Sequence, residues 1–179
     1  ELVSLNPLPD CDFARIISEI DELYFGDVIF VTGVGSHQQW AARCLTLDYG
    51  RRMLIQSSGH GTMGAGLPMA IGAALETQRK VALIDGDGSF QMTLSELGTV
   101  MQYFPRLDLD IHIIDNGGGG IVSQFCDLNG YSAQETTWDN PDFEAIGKAY
   151  GVKVKVWKTE EIGVWPILEG GKSEMTWKK

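Results

Sequence analysis

The sequence predicts an α/β protein with three layers (α/β/α), in which helices cover both faces of a mostly parallel central sheet of about five or six strands. Two observations support this prediction. Short apolar runs rich in β-branched residues, typical of strands buried on both faces, recur along the chain. Segments with helical spacing of apolar residues separate these runs, and such alternation requires crossover connections between parallel strands.

Five strands are predicted, each as a run of apolar and β-branched residues bounded by polar residues or glycine. The clearest reads VIFVT and ends at Gly33. The predicted strands cover residues 28–32, 53–56, 81–85, 110–115 and 152–156.

Helices are predicted between the strands from apolar spacing and from residues that favour helix ends. Asp10 is the expected N-cap of the first helix. Thr93 and Glu96 are expected to form a capping box, and Asn140 with Pro141 is expected to begin the last helix. The predicted helices cover residues 10–20, 37–45, 64–76, 93–103 and 140–150.

The length of 179 residues fits one domain. We therefore expect residues 1–179 to form a single domain with an irregular tail at 157–179, where glycines and a proline interrupt any period. The 14 Lys+Arg against 24 Asp+Glu give a net charge of −10, which disfavours nucleic-acid binding. No apolar run reaches roughly 18 residues, so no membrane span is expected. Three scattered cysteines suit reduced thiols in the cytoplasm.

Ligands of parallel α/β sheets bind at the carboxyl ends of the strands. The loops expected there are rich in glycine and polar residues, and they cover residues 33–37, 57–66, 85–90 and 115–120. This clustering is the first indication of a binding site.

One of these loops matches a dinucleotide-binding motif. Gly59, Gly61 and Gly64 give GxGxxG between a predicted strand and a predicted helix, and Asp85 follows about 20 residues later. However, the motif follows the second strand, and Asp85 is followed at once by another glycine-rich turn. Both features weaken the match. A non-catalytic, Rossmann-like dinucleotide-binding module is kept as the alternative from a different class of protein.

A sharper motif follows the third predicted strand. The Asp87 carboxylate stands between Gly86 and Gly88, where it can reach a hard cation while backbone N–H groups face a diphosphate. The next strand ends at Asp115 and Asn116 and continues into four glycines. The Asn116 side-chain carbonyl and a loop carbonyl would complete a magnesium site together with phosphate oxygens.

The pairing of GDG with an asparagine at the end of the next strand resembles the thiamine-diphosphate motif. The segments TGVGSHQQW at 32–40, GTMGAGLP at 61–68 and IVSQF at 121–125 extend the likeness over roughly residues 28–156. Together they resemble the diphosphate-binding, C-terminal domain of acetolactate-synthase-like enzymes, within the thiamine-diphosphate-dependent family.

The resemblance implies roles for individual residues. It implies magnesium binding by Asp87, Asn116 and the carbonyl of Gly118. It implies that Met63 and Gly61 are the catalytic candidates. Met63 would support the bent cofactor, and the carbonyl of Gly61 would accept a hydrogen bond from the aminopyrimidine. Phe125 stands where these synthases commonly place a tryptophan that helps to select the acceptor. The implied cofactor-binding residues are Val34, Ser36, His37, Gly61, Met63, Gly86, Asp87, Gly88, Ser89, Asn116, Gly118, Gly119, Gly120 and Ile121.

The resemblance also implies an activity that depends on thiamine diphosphate and Mg²⁺. The enzyme would decarboxylate pyruvate or a related 2-keto acid and transfer the two-carbon unit to an acceptor, as in branched-chain amino acid biosynthesis. A 2-keto-acid decarboxylase of the same family is the alternative. No segment resembles the pyrimidine-binding domain that carries the activating glutamate. We therefore expect that domain as a partner, in a missing N-terminal half or a separate subunit of a homo-oligomer such as a dimer, and an inactive chain without it.

Overall fold

The computed structural model describes residues 10–161, which form one sheet with helices on both faces. The strands are β1 (Val28–Thr32), β2 (Arg52–Gln56), β3 (Val81–Gly86), β4 (Leu109–Asp115) and β5 (Val154–Lys158). The helices are α1 (Asp12–Glu22), α2 (Ser36–Cys44), α3 (Gly66–Thr77), α4 (Asp87–Met92), α5 (Leu97–Tyr103), α6 (Gly120–Leu128) and α7 (Phe143–Ala149). All neighbouring strands are parallel, which confirms the predicted three-layer α/β/α fold.

Two apolar cores lie on opposite faces of the sheet, because successive side chains of a strand point to opposite sides. Ile29 and Val31 of β1 pack into one core with residues of α3, α5 and α7. Val28 and Phe30 pack into the other with residues of α1 and α2. Among residues 10–161, no helix combines the length and the apolar character that a membrane span requires.

The order of the strands places a crevice at one edge of the sheet. The sheet runs β2-β1-β3-β4-β5, so the chain leaves β1 toward one side and continues from β3 toward the other. The loops after β1 and β3 therefore diverge, and ligands of such sheets bind at the carboxyl end of this switch point.

The predicted starts of the first and fourth helices are wrong. Cys11, not Asp10, is the N-cap of α1, and its thiol accepts a hydrogen bond from a backbone N–H in the first turn. Thr93 and Glu96 form no capping box, since the Thr93 hydroxyl donates to the carbonyl of Gly64 at 2.8 Å. The segment Leu94–Glu96 is a 3₁₀ turn that leads into α5.

Further differences lie around the last strands. Asp142, not Asn140, is the N-cap of α7, and its carboxylate accepts from the N–H of Ala145 at 2.9 Å. The helices α4 and α6 begin in glycine-rich segments that we predicted as loops. Strand β5 extends to Lys158, so the predicted irregular tail does not begin at 157. Residues 162–179 of that tail lie outside the described residues.

A chain of polar side chains connects β4 with the segment after α1. The Trp157 indole donates to Nδ1 of His112 at 3.2 Å, and Nε2 of that ring lies 2.6 Å from the Tyr24 hydroxyl. Tyr24 in turn donates to Asp110, whose carboxylate also pairs with Lys80 at 2.8 Å. Because an indole only donates, the neutral His112 ring carries its proton on Nε2. Burial lowers the pKa of His112 to about 4, which keeps the ring neutral.

Candidate functional site

A cavity of about 210 Å³ lies at the carboxyl edge of the sheet, where β1, β3 and β4 end. Every residue predicted to bind the cofactor lines it: Val34, Ser36, His37, Gly61, Met63, Gly86, Asp87, Gly88, Ser89, Asn116, Gly118, Gly119, Gly120 and Ile121. These residues come from four segments that are far apart in sequence. Their convergence follows from the parallel sheet, which brings the loops after its strands to one edge.

The helices α2 and α6 both begin at the cavity, and no side chain caps their first backbone donors. Gly35 is the N-cap of α2 and Gly119 is the N-cap of α6, and no side chain hydrogen-bonds as a cap at either. The first N–H groups of a helix have no partner within the helix, and the helix dipole favours an anion at this end. The two helix starts therefore suit a phosphate group in the cavity.

A buried carboxylate lies beneath the cavity and explains one of its glycines. Asp85, at the end of β3, is fully buried and accepts from the N–H of Gly86 at 2.9 Å. Its Oδ1 lies 3.5 Å from Nε2 of His37, and Oδ2 has no hydrogen-bond partner among the described residues. A Cβ on Gly33 would lie 1.7 Å from Asp85 Oδ1, so only glycine fits there. A carboxylate so enclosed cannot hold a ribose, which argues against the dinucleotide alternative.

The two aspartates at the ends of β3 and β4 share one hydrogen-bond donor. Nδ2 of Asn140 donates to Oδ2 of Asp87 at 2.5 Å and to Oδ1 of Asp115 at 2.7 Å. The other oxygen of Asp87 accepts from the N–H of Gly88 at 2.7 Å. Burial raises the pKa of Asp87, and the charge of Asp115 acts in the same direction, whereas the hydrogen bonds from Asn140 and Gly88 lower it. The carboxylates of Asp87 and Asp115 and the side-chain oxygen of Asn116 form a corner of hard oxygen atoms, the ligands that Mg²⁺ prefers.

Trp138 lies in the cavity wall, a position that no sequence motif had indicated. A Cβ on Gly88 would lie 2.8 Å from Cζ2 of this indole and 3.9 Å from Cε of Met63, so the three residues adjoin one another. The indole Nε1 is buried and has no hydrogen-bond partner within residues 10–161. A short antiparallel bridge between Gly118 and Thr137 brings Trp138 into place. This pairing depends on tertiary structure, so no local pattern could have indicated it.

Four other lining residues were also not among the predicted cofactor-binding residues: Phe13, Gly35, Ile114 and Val122. Phe125, the predicted acceptor-selecting residue, does not line the cavity. It lies on α6 with 60% of its surface exposed. Met63 is also substantially exposed, at 41%. Among the lining residues, Met63 and Val122 therefore leave apolar side-chain surface open to solvent.

Comparisons with known proteins agree with this arrangement. The family described as "Thiamine pyrophosphate enzyme, C-terminal TPP binding domain" matches residues 33–163. The acetolactate synthase large subunit of Cyanidium caldarium is 41% identical over 78% of the chain, which covers 24% of that protein. The large subunit of acetolactate synthase isozyme 2 of Escherichia coli is 39% identical over 76% of the chain, covering 25% of its length. The mitochondrial catalytic subunit of acetolactate synthase of Saccharomyces cerevisiae is 42% identical over 75% of the chain, covering 20%. The chain thus spans about a quarter or less of these relatives.

Proposed function

Because the chain belongs to the thiamine pyrophosphate enzymes, as an acetolactate-synthase-like C-terminal TPP binding domain, we propose that it is the cofactor-binding domain of a carboligase. The enzyme decarboxylates pyruvate or a related 2-keto acid and transfers the two-carbon unit to an acceptor. Its relatives are named acetolactate synthases, and the activity in that name supports the proposed substrate class. The chain supplies the part that binds the diphosphate of the cofactor together with Mg²⁺.

One observation carries this proposal: the residues assigned to the cofactor by sequence, taken from four separate segments, line a single cavity. A chance grouping would leave some of them on other surfaces of the domain. The proposed site also lies at the switch point of the sheet, where ligands of this architecture bind.

The residues of the cavity fit a diphosphate and a divalent cation. The starts of α2 and α6 offer backbone N–H groups without side-chain caps. The buried Nε1 atom of Trp138 has no hydrogen-bond partner among the described residues, and such an atom is stabilised when a ligand accepts from it. Asp87 and Asn116 contribute the oxygen atoms that Mg²⁺ prefers.

In the proposed enzyme, each residue has a limited task. Asp87, Asn116 and the carbonyl of Gly118 hold Mg²⁺, while Gly88, Ser89 and the start of α2 hold the diphosphate. Met63 supports the bent cofactor, and the Gly61 carbonyl accepts a hydrogen bond from the aminopyrimidine. Thiamine diphosphate, when bound, supplies a nucleophilic carbon and takes up the electrons released on decarboxylation.

We further propose that a pyrimidine-binding domain completes the site, within a homo-oligomer such as a dimer. The short span of the chain relative to its relatives and the exposed apolar side chains of Met63 and Phe125 support this. The partner would cover the cavity and exclude water from the reacting carbon. Phe125 would then contact the acceptor, with a weaker preference for 2-ketobutyrate over pyruvate than tryptophan gives. The free thiols of Cys11, Cys44 and Cys126 are compatible with a cytoplasmic setting.

Thermal unfolding of the chain with different ligands tests the binding function. Thiamine diphosphate should raise the unfolding temperature only when Mg²⁺ is present. Ligand at 100 times its dissociation constant stabilises the folded state by about 2.7 kcal/mol, which is readily measured. Stabilisation by NAD without metal, and none by thiamine diphosphate with Mg²⁺, would favour a dinucleotide-binding module and contradict the proposal.

Product analysis tests the activity. The chain alone, with pyruvate, thiamine diphosphate and Mg²⁺, should release no carbon dioxide, because general acid–base help worth about 10²–10⁴-fold is missing. Addition of the pyrimidine-binding domain of the same enzyme should restore turnover and yield acetolactate. Release of acetaldehyde with no carboligation product would instead indicate a 2-keto-acid decarboxylase. Turnover by the chain alone would contradict the proposed division between the two domains.

A further inference from the structure

Asn140 lies at the proposed metal corner, but the sequence suggested a different task for it. An Asn-Pro pair before a helix is typical of a helix start. In the structure, Asp142 caps α7, so the Asn140 side chain is not needed there. Its amide nitrogen instead lies between the carboxylates of Asp87 and Asp115, 2.5 Å and 2.7 Å from the two oxygen atoms.

A further side chain fixes the orientation of this amide. Oδ1 of Asn140 accepts a hydrogen bond from Nε2 of Gln91 at 2.9 Å. With its oxygen held by Gln91 of α4, the amide can present only N–H groups toward the carboxylates. Three segments are thereby tied together: the start of α4, the end of β4 and the loop before α7.

The two carboxylates repel each other unless something opposes their charge. A cationic side chain between them would compete with a metal ion, whereas a neutral amide offers hydrogen bonds without adding charge. Hydrogen bonds to charged acceptors are stronger than those between neutral groups. The Asn140 amide donates to Oδ1 of Asp115 and makes no hydrogen bond to Oδ2 of the same carboxylate.

We propose, resting on the function proposed above, that Asn140 is a positioning residue for the divalent cation. Its amide holds the carboxylates of Asp87 and Asp115 at a fixed separation, and Gln91 holds the amide. Substitution of residues that orient metal ligands typically weakens metal binding about 10–100-fold, and we expect Asn140→Ala to fall in this range. Gln91→Ala acts only through Asn140 and should produce a smaller loss.

The test measures Mn²⁺ binding to the 179-residue chain by electron paramagnetic resonance at saturating thiamine diphosphate, with Mn²⁺ replacing Mg²⁺. The variants are Asn140→Ala, Asn140→Ser, Gln91→Ala and the double variant of Asn140→Ala with Gln91→Ala. Serine retains one donor, so Asn140→Ser should keep part of the affinity. Asn129→Ala is the matched control, because its amide only donates to a backbone carbonyl on α6.

The double variant tests whether Gln91 acts on the metal site through Asn140 or independently of it. If Gln91 acts through Asn140, the double variant binds Mn²⁺ as weakly as Asn140→Ala alone. Unfolding by urea without ligands should show that the variants remain folded, so that lost affinity is not lost structure.

Three results would overturn the inference: unchanged Mn²⁺ affinity in Asn140→Ala, additive losses in the double variant, or tighter binding in Asn140→Ala. The last result would mean that the amide competes with the cation. If the unsubstituted chain itself binds no Mn²⁺ with thiamine diphosphate, the proposed function fails, and that outcome is distinct from all three.

Discussion

Replacement of Gly88 by alanine should lower the free energy of unfolding of the unsubstituted chain but raise that of a Trp138→Ala variant. The added Cβ would lie 2.8 Å from Cζ2 of Trp138, closer than real Cβ contacts allow, and 3.1 Å from Cη2, which is tighter than most of them. Its other neighbour, Cε of Met63, would be at an ordinary distance of 3.9 Å. The indole is therefore the obstacle to a side chain at this position.

The expected magnitudes follow from two opposing effects. Overpacking against the indole costs about 1–3 kcal/mol. Alanine in place of glycine within a helix stabilises by roughly 0.5–1 kcal/mol. We therefore expect Gly88→Ala to lower the free energy of unfolding by about 1 kcal/mol in the natural chain. In the background of Trp138→Ala the clash is absent, and the same substitution should raise the free energy of unfolding by up to about 1 kcal/mol.

Urea unfolding of the unsubstituted chain, Gly88→Ala, Trp138→Ala and the double variant measures the coupling energy between the two positions. Gly72→Ala is the matched control. It lies within α3, and nothing is within 4 Å of its added Cβ, so it should stabilise the chain equally in both backgrounds. If Gly88→Ala has the same effect with and without the indole, the placement of Trp138 over Gly88 is wrong.

Three further predictions address the metal, pH and helix capping. Asp87→Ala should abolish the Mg²⁺-dependent stabilisation by thiamine diphosphate in thermal unfolding, yet leave the unliganded chain folded; unchanged cofactor affinity would contradict its assignment. Because burial depresses the pKa of His112 to about 4 from 6.5, the unfolded chain binds more protons between these values. Stability should thus fall as pH drops from 6.5 to 4, by up to about 3 kcal/mol, and His112→Gln should flatten that urea-unfolding profile. Asp142→Ala should cost about 1 kcal/mol of unfolding free energy through the lost N-cap, whereas Asp142→Asn keeps a side-chain oxygen acceptor and should cost little; equal costs for the two variants would argue against the cap assignment.

The strands were the most predictable part of the fold. β1 has the predicted bounds, Val28–Thr32, and is buried along its whole length. A run of β-branched residues in a sheet covered on both faces leaves little room for another assignment. The shift of β5 toward Lys158 is different, since that edge strand is only partly buried and its residues carry less information about their position.

Short helices that begin at glycines were not predictable in the same way. α4 begins directly after Gly86, and α6 begins at Gly120. Glycine disfavours helix in isolation, so these segments indicate loops when only the sequence is considered. In the folded chain, tertiary packing outweighs the low intrinsic propensity, as the burial of Phe90 in α4 illustrates.

The candidate site divides along similar lines. Residues next to strand ends, such as Asp87 and Asn116, could be grouped from the sequence because parallel strands end at one edge. Trp138 and Asn140 reach the site from the long connection between α6 and α7. Their positions depend on the bridge between Gly118 and Thr137 and on the hydrogen bond from Gln91, which only the folded chain brings about.

The chain of hydrogen bonds from Trp157 through His112 and Tyr24 to Asp110 makes one imidazole proton a natural spectroscopic label. That proton sits on Nε2, is shielded from solvent and is held against the Tyr24 oxygen at a nitrogen–oxygen distance of 2.6 Å. Its exchange with water must wait for local opening of this part of the sheet. At neutral pH, nuclear magnetic resonance should therefore display it as a separate signal. Its lifetime would report whether binding at the carboxyl edge tightens a part of the sheet where these four side chains lie outside the cavity.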